Sequence, residues 1–248
     1  MKIKKLAILL FIASTHLEAR PDTTIHTQFP GHPRNWKGAL FAPSLLIGLG
    51  ILATNDNDLI YRQDFYDQRN KKIPHFRTHA DDYLQYAPIA VVAAFNALGI
   101  KGKHDIPNQI ALLIKSELMM TAIVFPLKKL TAVPRPDTHT PNSFPSGHTA
   151  QAFAAATFLH KEYGREHPLF SVLGYATATG IGLLRVMNNR HWISDVLVGA
   201  GIGIVSTNLA YATHRNKERH KHKLLRGASL VPSYSQRSFR VNMVLSIK

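Results

Sequence analysis

The sequence predicts an all-α protein, a membrane-embedded helical bundle of about five or six apolar helices that follows an N-terminal signal segment. Six apolar stretches rich in Ala, Gly, Leu and Ile are separated by short polar loops. Two of them, residues 84–100 and 192–212, are nearly free of charge and close to the length that spans a bilayer. The start of the chain, which is first basic and then apolar, predicts the signal segment.

The signal segment comes first along the chain. Three lysines among residues 1–5 precede an apolar run at 6–13 and a small-residue cleavage site at 17–19. Because the run is too short to cross a bilayer comfortably, we prefer an export signal over residues 1–19 to an uncleaved anchor helix. Residues 20–213 then form one helical domain, and residues 214–248 form a basic C-terminal tail.

The helices of the domain are expected at residues 39–54, 84–100, 110–127, 149–159, 169–187 and 192–212. Gly199 and Gly203 form a Gly-x-x-x-Gly pair, a pattern that lets two helices approach closely. The first stretch is interrupted by Pro43 and two glycines, and we expect it to lie along the membrane interface or to re-enter it. Near the end of the chain, SFRVNMVLSI alternates apolar and polar residues as a half-buried strand does.

Two features oppose membrane insertion. The mean hydropathy of the chain is slightly negative, −0.08. Lys115 and Glu117 fall inside an apolar stretch, where each charge costs roughly 2.5–3.5 kcal/mol on insertion scales. These two side chains are therefore expected to face the bundle interior or, in the alternative of a soluble protein, water.

Composition limits the function classes. The chain has 30 Lys and Arg against 15 Asp and Glu, a net charge of +15, and no cysteine. The lack of cysteine excludes disulfides, cysteine–zinc sites and thiol nucleophiles. The positive charge suits an anionic membrane surface or a phosphorylated substrate. Nucleic acid is not expected as a partner, because the sequence has no zinc-finger spacing and no aromatic RNA-binding motif.

Charge placement also predicts an orientation. Basic residues crowd the segment after the last apolar stretch, and such segments stay in the cytoplasm. Counting back along the helices then places Lys128, Arg135, residues 145–148, Arg185 and His191 together on the external side.

Three segments bring polar and basic residues to the ends of predicted helices: KKLTAVPRPD at 128–137, PSGH at 145–148 and RVMNNRHWISD at 185–195. Single residues have plain structural alternatives. Lys128 can be an interfacial cation, Ser146 a helix N-cap, and Arg185 the buried partner of Asp195.

Taken together, the residues favour a site. His191 and Asp195 are four apart and share a face if both are helical, so the carboxylate can hold one imidazole nitrogen and direct the other outward. A helix that begins at Ser146 and Gly147 presents free N–H groups to an anion, and the glycine allows close approach. The sequence therefore predicts an anion-binding site with the titratable His148 at its edge.

The motifs in this order resemble those of the type 2 phosphatidic acid phosphatase (PAP2) superfamily, which includes membrane lipid phosphatases, soluble bacterial acid phosphatases and vanadium haloperoxidases. The matching positions are Lys128, six residues and Arg135; PSGH; and Arg185, five residues, His191, three residues and Asp195. Leu184 stands where the family usually has Ser, so one hydrogen bond to phosphate is missing.

The resemblance implies a metal-independent phosphoric ester hydrolase that needs no cofactor. His191 would attack phosphorus and form a phosphohistidine, Asp195 would orient it, and His148 would act as general acid and base. The groups implied to hold the phosphoryl oxygens are Lys128, Arg135, Ser146, Gly147 and Arg185. A zinc ion at His148, His191 and Asp195 is the metal alternative, which the neighbouring cations disfavour.

The segments DDYLQYAPIAVVAAFNALGIKGK and RVMNNRHWISDVLVGAGIGI are similar to those of members that act on lipid A. The expected substrate is thus lipid A, with the 4′-phosphate preferred to the 1-phosphate. The expected location is a bacterial inner membrane with the site facing the periplasm. Undecaprenyl pyrophosphate and phosphatidylglycerophosphate are alternative substrates. A soluble periplasmic acid phosphatase, a haloperoxidase and an anionic-lipid-binding scaffold are alternative functions.

Overall fold

The computed structural model describes residues 36–54, 62–215, 228–235 and 238–245, and most of these residues are helical. The eight described helices are α1 (Trp36–Leu52), α2 (Arg62–Lys72), α3 (Ala80–Leu84), α4 (Ala87–Ala97), α5 (Ile106–Thr131), α6 (Gly147–Tyr163), α7 (Pro168–Met187) and α8 (Ile193–Ala212). The predicted signal segment, residues 1–19, lies outside the described residues.

Each of the six predicted apolar stretches forms a helix, with ends that differ by a few residues. Helix α1 continues through Pro43. The polar helices α2 and α3 were not predicted, because neither has the apolar stripe on which the prediction rests.

The chain is not entirely helical. Strand β1 (Ala228–Ser235) pairs antiparallel with β2 (Ser238–Leu245), which lies in the alternating sequence SFRVNMVLSI. The register sets Ala228 opposite Leu245 and Ser235 opposite Ser238. This hairpin corrects the all-α prediction within the segment that was expected to be a basic tail.

Three of the described helices, α5, α7 and α8, are long and apolar enough to cross a membrane. The apolar part of α1 and the whole of α4 are shorter. Inside α5, Glu117 accepts a hydrogen bond of 2.7 Å from Gln151 on α6. The carboxylate therefore faces the bundle, as expected for a charge in an apolar stretch.

Helix α6 lies at the centre and packs against α4, α5, α7 and α8. Its buried residues are mostly small, among them Ala150, Ala154 and Ala155. On α8, a side chain at Gly199 would come within 2.5 Å of the Ser146 carbonyl oxygen, and one at Gly203 would meet the Ala150 carbonyl oxygen. The predicted Gly-x-x-x-Gly pair is thus the surface on which α8 meets α6.

This packing gathers one end of four helices: the C-terminal ends of α5 and α7 and the N-terminal ends of α6 and α8. The loop before α6 is tied to α8 by a hydrogen bond from the Ser146 N–H to the Asp195 carbonyl oxygen, 2.9 Å. At the opposite end, the Lys103 N–H donates to the Glu162 carbonyl oxygen, 3.0 Å. All three motifs therefore meet at one end of the bundle.

We expect Gly203→Ala to lower the free energy of unfolding by about 1–3 kcal/mol, because its methyl group would overlap the α6 backbone. The matched control is Gly180→Ala, since a side chain at Gly180 meets nothing within 4 Å. Removing a helical glycine there should be neutral or slightly stabilising. Thermal unfolding in detergent micelles measures both, and equal melting temperatures for the two variants would contradict the close contact.

Candidate active site

The imidazole of His191 is paired with the carboxylate of Asp195. Its Nδ1 lies 3.3 Å from Asp195 Oδ2, and both side chains are buried. The pairing differs from the prediction in its local structure, because His191 precedes α8 and is not part of it. Asp195 reaches back over the helix start, where its Oδ2 also accepts from the Trp192 N–H at 3.0 Å. Helix capping, and not a shared helical face, therefore orients this carboxylate.

Ser143 is a third member of the contact between His191 and Asp195. Its hydroxyl donates to Asp195 Oδ2 at 2.5 Å and lies 3.4 Å from His191 Nδ1. Asp195 Oδ2 thus meets three groups at once, which fixes the imidazole plane. Since Nδ1 faces Asp195, Nε2 is the nitrogen left to act outward.

Burial keeps His191 neutral. Loss of water lowers the pKa of His191 to about 4, although the Asp195 carboxylate opposes this effect. The charges of Arg185 and Lys128 lower the pKa further. At neutral pH the ring is therefore uncharged, as a nucleophile must be.

A buried ion pair holds Arg185. Its Nη1 donates to Asp81 Oδ2 at 2.6 Å, and Asn188 Nδ2 donates to the other oxygen of Asp81 at 3.1 Å. The Arg185 Nε is buried and has no hydrogen-bond partner among the described residues. The described residues therefore leave one N–H donor of this guanidinium group unpaired.

The turn between α7 and α8 brings Arg185 and His191 together. Helix α7 ends at Met187 with Asn188 as its C-cap, and Asn189 has a positive φ of 59°, which asparagine adopts more readily than most residues. The Arg185 carbonyl oxygen then accepts from the N–H groups of Arg190 and His191, at 3.0 and 3.3 Å. The six-residue spacing of the third motif is thus the length of this closed turn.

His148 is paired with Asp82, the neighbour of Asp81 on α3. The His148 Nε2 lies 2.9 Å from Asp82 Oδ1, which is also 3.7 Å from Arg185 Nη1. Burial, and then the charge of Arg185, lower the pKa of His148, while Asp82 acts in the opposite direction. Burial alone would raise the pKa of Asp82, but hydrogen bonds to His79 and His148 outweigh it and the pKa is lowered.

The loop after α5 holds the two remaining cations. Lys128 Nζ donates to the carbonyl oxygens of Asn142 and Ser143, at 2.7 and 3.3 Å. Arg135 Nε donates to the Asn142 side-chain oxygen at 2.6 Å. Helix α5 ends because Ala132 takes a left-handed conformation with a φ of 46°. Lys128 is therefore in the last turn, and its ammonium group lies beside the loop.

Ser146 and Gly147 start α6. The Ser146 hydroxyl caps the helix, since it lies 3.5 Å from the Thr149 N–H and 2.9 Å from Thr149 Oγ1. A side chain at Gly147 would come no closer than 3.9 Å to Lys128 Cε. Gly147 therefore lies beside the Lys128 stem, and a contact of either residue with phosphate stays a prediction.

Arg185 is the common neighbour of the cluster. Its charge lowers the pKa of His148, of His191 and, after burial, of Arg135. One guanidinium group thus acts electrostatically on a titratable residue of each of the three motifs. The structure does not favour the zinc alternative, because His148 and His191 bind different carboxylates, and no metal-binding group of three such residues occurs in the described ranges.

Sequence reasoning missed Asp81, Asp82, Ser143 and Asn188. An available signal was the pair of adjacent acids at 81–82 in a chain with only 15 acidic residues. The pairing of these acids with Arg185 and His148 depends on contacts between residues far apart in the sequence, which no local pattern reports.

Residues 110–219 match the PAP2 superfamily, and the chain belongs to that superfamily. It is 34% identical over 224 residues to a lipid A 1-phosphatase of Porphyromonas gingivalis, covering 83% of this chain. The chain spans about half the length of that relative, 49%.

Two solved structures are also similar. The crystal structure of Aquifex aeolicus LpxE matches with a TM-score of 0.47 and 24% identity, over 62% of this chain and 97% of that one. The transmembrane PAP2-type phosphatidylglycerolphosphate phosphatase from Bacillus subtilis matches with a TM-score of 0.42 and 19% identity, over 69% and 95%.

We expect the His191 ring to stay neutral down to a pH of about 4. Because this pKa is below the unfolded value of 6.5, the folded protein loses stability as the pH falls from 6.5 toward 4. Replacing Asp195 by Asn should lower the pKa further, since the carboxylate favours the charged ring. Histidine-labelled NMR in micelles, with His191→Gln to assign the signal, measures both. A ring that titrates near 6.5 would contradict the buried pair.

Proposed function

We propose that the protein is a metal-independent phosphoric ester hydrolase that removes the 1-phosphate of lipid A through a phosphohistidine intermediate. The observation that carries this proposal is a buried neutral histidine, His191, oriented by Asp195 beside the cation Arg185. A neutral nucleophile next to fixed positive charge suits attack on a phosphate, where positioning and charge neutralisation dominate catalysis. Membership of the PAP2 superfamily supports the same reaction class.

The first step transfers the phosphoryl group to the enzyme. The lone pair on His191 Nε2 attacks phosphorus, so that a P–N bond forms as the P–O bond to the lipid breaks. His148, in the protonated form that Asp82 favours, gives its proton to the leaving oxygen. Asp195 stabilises the positive charge that develops on the His191 ring.

The second step restores the enzyme. His148, now neutral, takes a proton from water as the water oxygen attacks phosphorus. The P–N bond breaks, and inorganic phosphate leaves with His191 neutral again. In both steps Lys128, Arg135 and Arg185 would hold the phosphoryl oxygens, together with Ser146 and Gly147 at the start of α6.

The relative from Porphyromonas gingivalis supports the choice of substrate, because its name specifies the 1-phosphate of lipid A. We therefore replace the sequence-based preference for the 4′-phosphate. The three apolar helices support a membrane location. We further propose an inner membrane with the site facing the periplasm, as the basic segment after α8 predicts.

The test is phosphate release by purified protein from lipid A, undecaprenyl pyrophosphate, phosphatidylglycerophosphate and p-nitrophenyl phosphate, with mass spectrometry of the lipid products. We expect lipid A to lose one phosphate, at the 1-position. His191→Ala should abolish the reaction, and His148→Ala should slow it by about 10²–10⁴-fold. His75→Ala, at an exposed histidine outside the cluster, is the matched control.

Unchanged activity in His191→Ala would contradict the phosphohistidine mechanism. Faster hydrolysis of phosphatidylglycerophosphate or undecaprenyl pyrophosphate than of lipid A would contradict the substrate and leave the mechanism in place.

The orientation can be tested separately, because the chain has no cysteine. Thr140→Cys places a thiol in the loop beside the cluster, and Lys103→Cys places one at the opposite end of the bundle; both positions are exposed. We expect a membrane-impermeant maleimide to label position 140 in cells with a permeabilised outer membrane, and to label position 103 only after the inner membrane is lysed. The reverse pattern would contradict a periplasmic site.

A further inference from the structure

A second polar space adjoins the cluster around Arg185. It is a cavity of about 420 Å³, within the range of small-molecule sites. Its own walls include Arg77, Thr78, Asp137, Thr138 and Arg190. It also shares Arg185 and Asp82 with the cluster described above. A group bound here would therefore be next to a phosphate held by Arg185.

Asp137 organises the far wall. Its side chain is 5% exposed, and its Oδ2 lies 3.1 Å from Arg190 Nη1 and 3.7 Å from Arg77 Nη1. The two arginine side chains are partly exposed, at 39% and 56%. A guanidinium group carries five N–H donors, so one carboxylate does not occupy either arginine fully. Arg190 and Arg77 are therefore held by Asp137 on one side and line the cavity on the other.

The charge balance of the cavity indicates the kind of ligand. Two carboxylates, Asp82 and Asp137, offset most of the charge of the three arginines in the walls. The two threonine hydroxyls both donate and accept. A second bare phosphate would meet these carboxylates, whereas a hydroxyl group can donate to a carboxylate and accept from a guanidinium. The walls thus suit a ligand with neutral groups that both donate and accept, such as hydroxyl and amide groups.

We propose that this cavity is a headgroup subsite, which binds the neutral polar groups, hydroxyl and amide, of the sugar ring whose phosphate is removed. The inference rests on the proposed phosphatase function and identifies its substrate class as a phosphorylated glycolipid. Arg190 donates to the sugar and Asp137 accepts from it, while Arg185 holds the attached phosphate. A diacylglycerol phosphate has neither a free hydroxyl nor an amide group beside its phosphate, so it makes no such hydrogen bonds in the subsite.

The test compares kcat/KM for lipid A with kcat/KM for phosphatidic acid, which has a phosphomonoester and no sugar. We expect Arg190→Ala to lower the value for lipid A by about 10- to 100-fold, the effect of losing a charged hydrogen bond, and to leave phosphatidic acid unchanged. Thr138→Val, which keeps the shape of the side chain, should cause a smaller loss in the same direction. Lys72→Ala, an exposed cation outside the cavity, should change neither value.

Activity on phosphatidic acid also reports whether each variant folds. An equal loss on both substrates, in either Arg190→Ala or Thr138→Val, would assign that residue to the phosphate cluster or to the fold and overturn the subsite. No loss on lipid A in both variants would overturn it as well. If wild-type protein releases phosphate from neither lipid, the proposed function itself fails, and the subsite fails with it.

Discussion

The buried ion pair between Arg185 and Asp81 is the contact on which the rest of the site depends. Breaking such a pair by removing one partner costs roughly 3–5 kcal/mol, because the other charge is left buried and alone. Removing Asp81 would add a further cost, because Arg185 would stay charged near a second cation, Arg135, whose pKa the charge of Arg185 lowers. The same pair joins α3 to α7, and so it positions Asp82, the next residue of α3, beside His148. One contact therefore neutralises the central cation and positions Asp82 beside the second histidine.

Close packing of α8 on α6 positions the second motif, at the start of α6, relative to the third motif, at the start of α8. Gly199 lies against the Ser146 carbonyl oxygen, so the start of α6 and the first turns of α8 are held within van der Waals contact. The Ser146 N–H then reaches the Asp195 carbonyl oxygen. Small residues in the helix interface thus set the distance between the second and third motifs. Because protein interiors are densely packed, a bulkier residue there would move the ends of both helices that carry the candidate site, together with the interface.

The sequence predicts the parts of this molecule that depend on local pattern. Apolar stretches predict six of the helices, Gly199 and Gly203 predict a close helix contact, and the three motifs predict the cluster around Arg185. Helices α2 and α3 were not predicted, because their residues are mostly polar and their stability comes from contacts with residues distant in the sequence. Arg69 of α2, for example, donates to the Met187 carbonyl oxygen, 118 positions away. The pairing of His191 with Asp195 was predicted with the wrong local geometry, since a helix start can bring residues four apart together as well as a helical face can.

The two histidine–carboxylate pairs of the site differ in a way that matches their proposed roles. The His191 and Asp195 side chains are 1% and 0% exposed, and Ser143 fixes the carboxylate from a third direction. A nucleophile that must stay neutral and in line with the phosphorus benefits from such a rigid, dry setting. The His148 and Asp82 side chains are 33% and 43% exposed, and Asp82 lies on a five-residue helix. A group that exchanges protons with the leaving oxygen and then with water needs solvent access and room to change partners. Asp82 Oδ1 lies 2.9 Å from His148 Nε2 and 3.7 Å from Arg185 Nη1, so a phosphate that binds both of these groups, as proposed, would have to take the place of a carboxylate.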